Sequence, residues 1–138
     1  MKKILCILAP AVMLSVFSCK KSAGEGGTSS ITGKVYANYY DKRIQSKLSS
    51  GYAPREDVFI IYGDDVTYGD NQKTNYDGTF EFRYLQKGKY KVYAYTRDSS
   101  GAYINQVNQS APNIAVIKEV EITSGGKAVN LDDISIIK

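Results

Sequence analysis

The chain of 138 residues contains no histidine and no tryptophan, and it has two cysteines and three prolines. Without histidine there is no Ser-His-Asp hydrolase, no Cys-His protease and no zinc site built on imidazole. Missing tryptophan takes away the largest aromatic platform for stacking on a sugar. No glycine-rich phosphate loop and no internal repeat is present. Long hydrophobic runs are also absent. The longest, Ile4 to Phe17, is apolar apart from Ser15 and falls short of the roughly 20 residues that span a bilayer.

That run follows Met1-Lys2-Lys3, and the two together have the form of a secretory signal peptide. It ends at Val16-Phe17-Ser18-Cys19, which resembles a bacterial lipobox: an aliphatic residue, a tolerant position, a small residue, then cysteine. The resemblance implies that the Cys19 thiol takes a diacylglycerol and that cleavage leaves Cys19 as the mature N-terminus. The bland alternative is an ordinary signal peptide that happens to contain a cysteine. Cys6 would leave with residues 1–18, so the mature chain would hold no thiol for a disulfide, a metal or a nucleophile. An exported domain without disulfides relies on its hydrophobic core. Loss of Lys2 and Lys3 leaves 16 basic residues against 14 acidic ones, a net charge of +2, which gives no basis for binding nucleic acid. Lys20-Lys21 after the cysteine is not an aspartate-type inner-membrane retention signal, so the expected address is the cell envelope, at the outer membrane.

Residues 19–30 are Cys19 followed by KKSAGEGGTSS (20–30), whose small, polar, glycine-rich composition predicts a flexible tether. From Ile31 the pattern is one of short strands. Ile31, Gly33, Val35 and Ala37 share one face, and Thr32, Lys34 and Tyr36 share the other. VFIIY at 58–62 is too short for a helix and predicts a central strand. Asp77-Gly78 is a hairpin-turn signal. Phe80 and Phe82 then alternate with Glu81 and Arg83. After a second turn at Lys87-Gly88-Lys89, Tyr90, Val92 and Ala94 alternate with Lys91, Tyr93 and Tyr95. The stretch 74–95 therefore predicts a central hairpin.

Ile114, Val116, Val120 and Ile122 alternate inward, but Lys118 falls on the same face, which predicts a bulge or break there. A last strand over 129–136 is interrupted at Asp132-Asp133. Residues 39–57 hold either one or two helical turns between Asp41 and Gly51 or a long loop. Residues 98–113 are polar and predict a loop. The domain is expected over 31–138.

The order of these pieces resembles the carboxypeptidase regulatory-like domain, within the transthyretin-like and Cna-B-like sandwiches. The resemblance is carried by Ile31-Thr32-Gly33-Lys34-Val35, by Val58 to Tyr62, and by Thr74, Asp77-Gly78, Phe80, Phe82, Leu85, Gly88, Tyr90 and Val92, with Val120 to Leu131 closing it. It implies an all-β, Greek-key sandwich of about seven strands that serves as a stalk, spacer, adhesive or accessory module, with no catalytic residue and no cofactor. Lys87 stands where the family often has proline, and the second glycine of its turn is missing.

Two groups are candidates for binding. Twelve tyrosines in the chain are many, and Tyr36, Tyr93 and Tyr95 alternate away from the core positions, as a candidate surface for a protein or glycan partner. Asp64, Asp65, Asp70 and Asp77 offer oxygen ligands for calcium from one loop, although their spacing is not that of an EF-hand. A solvated loop with local turns is the simpler account of them, so no metal site is expected. The expected role is non-catalytic binding or structure, with a subunit of a larger envelope assembly, such as a pilus or polysaccharide-handling complex, as the alternative and a hydrolase disfavoured.

Overall fold

One strand organises the molecule. The computed structural model describes residues 22–41, 46–98 and 112–138. Within it, β1 runs from Glu25 to Tyr40 and buries Ser29, Ile31, Gly33, Val35 and Ala37 on one face. That is the alternation read from the sequence, extended back by six residues. Antiparallel β2 (Lys47–Tyr52) and β5 (Thr79–Leu85) share one side of β1. They meet at Val35, whose N–H donates to the Gly78 carbonyl and whose carbonyl accepts from the Ala53 N–H, both at 2.9 Å. β8 (Ala128–Asn130) and β9 (Ile134–Ile137) pair with β1 in parallel.

The second sheet has the order β4-β3-β6-β7, all antiparallel, with β3 over Asp57–Tyr62, β4 over Asp70–Lys73, β6 over Gly88–Arg97 and β7 over Asn113–Ile122. The chain is all-β, and the two sheets close a sandwich on Ile31, Ile60, Phe80, Phe82, Tyr90 and Ile134, each at most 2 % exposed. Gly33 makes room for the ring of Phe80, its partner on the neighbouring strand β5. A β-carbon there would lie 2.7 Å from the Phe80 ring, so any larger residue would displace that ring.

Several expectations are corrected. Among the described residues there are nine strands, not about seven. The stretch 74–95 is not a hairpin, because β5 pairs with β1 and β6 pairs with β3 and β7. The turn at 86–88 carries the chain from one sheet to the other, so Phe80 and Phe82 face Tyr90, Val92 and Ala94 across the core. Alternation and turn residues are the same for a hairpin and for this crossing, and only the pairing partners differ. The Asp77-Gly78 turn likewise joins strands of different sheets. Gly78 sits at φ 77°, and the Asn75 N–H donates to the Thr79 carbonyl at 2.8 Å.

The tether does not extend to Ser30. Ala23 packs against the core and β1 begins at Glu25. Residues 47–52 form a strand, not helical turns, while 42–45 lie outside the described residues. β7 has no bulge. Lys118 pairs in register with Val92, and it is tolerated on the inner face because β7 is the last strand of its sheet, where a long aliphatic stem reaches solvent. The interruption at Asp132-Asp133 separates β8 from β9 as expected. The signal segment 1–18, Cys19 and most of the 98–113 loop lie outside the described residues.

Candidate functional site: an aromatic sheet face

β3 and β6 alternate in phase. Val58 and Ile60 point into the core with Val92 and Ala94, which turns Phe59, Tyr93 and Tyr95 to the outer face. Register places Phe59 directly opposite Tyr93. Their rings stack, with centroids 5.1 Å apart and planes 15° from parallel. Tyr95 meets Phe59 edge-on at 5.6 Å and Tyr93 at 5.5 Å. Tyr68, from the loop between β3 and β4, closes on Phe59 at 5.1 Å. Ile117 of β7 lies opposite Tyr93 and continues the apolar row to the edge of the sheet.

Exposure divides these residues into two roles. Tyr93 is 8 % exposed and is covered by its neighbours, whereas Tyr95 (45 %), Tyr68 (52 %) and Ile117 (51 %) remain open to solvent. Burial raises the Tyr93 phenol above its ordinary range, and a hydrogen bond with Tyr95 and the phenols of Tyr95 and Tyr68 push the same way. The Tyr93 hydroxyl is therefore neutral at physiological pH.

Charge is kept to the rim. Asp57 and Lys73 form an exposed ion pair at 2.6 Å, and Lys91 sits opposite Glu119 on the next strand. At the end of the face away from Gly88, a shallow depression of about 230 Å³ is lined by Asp57, Phe59, Tyr95, Arg97, Asn113 and Lys138, among others. The arrangement supplies rigid amphipathic contact area bordered by hydrogen-bonding groups. It holds no histidine or cysteine to serve as base or nucleophile.

The three tyrosines singled out in the sequence do not share one surface. Tyr36 projects from β1 in the opposite sheet, packs edge-on against Tyr52 at 5.4 Å and donates to the Ser50 hydroxyl at 3.1 Å. The Lys34 ammonium lies 4.6 Å from the centre of the Tyr52 ring. Phe59, Tyr68 and Ile117 were missed. Phe59 carried a signal, since its neighbours Val58 and Ile60 alternate inward. Tyr68 carried none, because a loop places it.

The aspartates are not gathered. Among the described residues no three of Asp, Glu, His and Cys are placed to hold a metal ion. Asp64 and Asp65 are exposed in the turn after β3. Asp70 accepts from the Asn71 N–H at 2.7 Å. Asp77 accepts from the Thr79 hydroxyl at 2.7 Å and from its N–H at 3.2 Å, and Lys34 lies at 3.4 Å. Those bonds, Thr79 foremost, hold the Asp77 carboxyl below its usual range. Asp77 is thus committed to its own turn.

No family model matches the chain, and no curated protein matches it. Among solved structures, the chain is similar to the crystal structure of a proposed carbohydrate binding protein from Pseudomonas aeruginosa. The two are 13 % identical with a TM-score of 0.46, over 84 % of this chain and 92 % of that one. Similarity at that level carries nothing about a shared ligand.

Proposed function

We propose that the protein is a lipid-anchored module of the cell envelope, outer membrane included, that binds a partner without catalysis through the outer face of its β4-β3-β6-β7 sheet. The observation that carries this reading is the packed aromatic group of Phe59, Tyr68, Tyr93 and Tyr95, in which Tyr68 and Tyr95 stay open to water together with Ile117 beside them. Tyrosine gives large contact area at low entropy cost, and clusters of this kind mark interfaces. The lipobox-like Val16-Phe17-Ser18-Cys19 supports the anchor, and the resemblance to carboxypeptidase regulatory-like domains supports a non-catalytic accessory role.

The test is capture of glycans and envelope proteins by the soluble domain, repeated with Tyr95→Ala and Tyr68→Ala. Loss of capture in variants that keep the melting temperature supports the reading. Unchanged capture in both moves the binding surface elsewhere. A second reading, a subunit of a larger envelope assembly, is favoured by β7. Among the described residues this ten-residue strand pairs on one side only, and its inward Ile114 is left 47 % exposed.

A further inference from the structure

The N-terminal segment is built into the sandwich almost to the lipid cysteine. The Tyr90 hydroxyl accepts from the Gly24 N–H at 3.1 Å and donates to the Gln86 carbonyl at 2.7 Å. The Gly24 carbonyl accepts from the Gln86 N–H at 2.8 Å, and the Gln86 side-chain amide donates to the Glu25 carbonyl at 2.6 Å. Ala23 fills the space above Gly88, where a β-carbon would lie 2.7 Å from the Ala23 methyl. Glu25 also accepts from the Tyr62 hydroxyl at 3.1 Å. The segment is therefore pinned to β3, β6 and the turn at 86–88.

Length turns this into a constraint. Only Lys20, Lys21 and Ser22 separate Cys19 from Ala23. Four Cα steps reach at most about 14 Å. A tether running to Ile31 would have reached about 42 Å and left the domain free to tumble. The end of the sandwich around Ala23 is therefore confined to the neighbourhood of the lipid headgroups. That end also exposes apolar side chains: Val66 after the β3 turn is 99 % exposed, and Tyr84 at the end of β5 is 70 % exposed. Its charges, Lys87 and Lys89 against Asp64 and Asp65, are of both signs, so a surface potential would not orient it. Short reach and exposed apolar tips would.

We infer that the anchored protein rests its Val66–Tyr84–Lys87 end on the bilayer interface in one fixed orientation, with the aromatic sheet face held clear of it. This rests on the proposed lipid anchor at Cys19. Gly88 to Tyr93 is five residues of strand, about 17 Å, which lifts the aromatic group above the headgroups. The far end of β1, where Tyr40 pairs with Lys47, stands up to about 50 Å away from Glu25.

The experiment uses the full lipoprotein in phosphatidylethanolamine–phosphatidylglycerol vesicles that carry a headgroup quencher. The mature chain has no free thiol, so Lys87→Cys and Lys47→Cys each accept one fluorophore. The label at 87 is expected to be quenched several-fold more than the label at 47. A twelve-residue Gly-Ser insertion between Ser22 and Ala23 should erase the difference. Equal quenching of the two labels overturns the orientation, and a difference that survives the insertion overturns the role of the short reach. Vesicle flotation and the acyl mass on the Cys19 peptide report the anchor separately. Flotation with equal quenching sinks the orientation alone, whereas a soluble, unacylated chain sinks both.

Discussion

Phe59 of β3 and Tyr93 of β6 stack face to face on the outside of the sandwich, 5.1 Å apart and 15° from parallel. The pair sits on the solvent side of the sheet, yet Tyr93 is 8 % exposed. Tyr95, two residues along the same strand, is 45 % exposed. The buried partner supports the platform and the open one presents it.

Tyr93→Ala and Tyr95→Ala should therefore behave differently. Removing the covered ring should cost about 3 kcal/mol, as for other buried aromatics. Removing the open ring should cost at most about 1.5 kcal/mol, the scale of an aromatic pair contact. Urea unfolding of the two variants checks this, and equal losses would show that the two tyrosines share one role.

The crossing between sheets makes Phe82 a core residue shared by both. Phe82→Ala should cost about 3–5 kcal/mol. Glu81, one residue away, faces out and pairs with Arg83 at 2.6 Å in solvent. Glu81→Ala should leave the unfolding midpoint unchanged, because exposed pairs contribute little. A large loss at Glu81 would contradict the facing assigned to β5.

Tyr90→Phe removes the hydroxyl that holds Gly24 and Gln86 while keeping the ring in the core. A loss of about 1–2 kcal/mol is expected. Amide exchange should accelerate at 24–26 and not in the centre of β6. Uniform acceleration would mean that the hydroxyl supports the whole fold.

Tyr62, Tyr90 and Tyr93 all have phenols raised above the ordinary 10.0, with burial the first cause in each. The unfolded chain releases these protons near 10, whereas the folded chain holds them to higher pH. Their contribution to stability is full below about pH 10 and is lost as the pH rises through the raised values. Denaturation at about pH 8, 10 and 11 should show the fall, and Tyr93→Phe should flatten it. An identical profile in that variant would assign the fall to other groups.

Calcium should leave the melting temperature unchanged, with or without chelator, because a ligand stabilises only a state that binds it and the aspartates at 64–77 do not converge. A rise with calcium would overturn that placement.

Alternation determined a great deal by itself. A period of two is a property of the strand alone, so the inward faces of β1, β3, β5 and β6 and the core residues Ile31, Ile60, Phe80, Phe82 and Tyr90 were legible before any coordinates. Turn residues set the strand ends at Gly63, Gly78 and Gly88. Tertiary structure decided which strand pairs with which. The run at 79–85 could pair with the run at 88–97 or with β1, and only burial of both apolar faces in one core selects β1. The same contest drew Ala23 to Ser29 into the fold. Their composition reads as a tether, but the Tyr90 hydroxyl and the backbone at Gln86 offer partners that no local pattern encodes. Cross-strand register, finally, brought Phe59 and Ile117 to Tyr93 and Tyr95, the loop between β3 and β4 added Tyr68, and pairing in the other sheet sent Tyr36 to the opposite side, because adjacency across strands depends on pairing and not on distance along the chain.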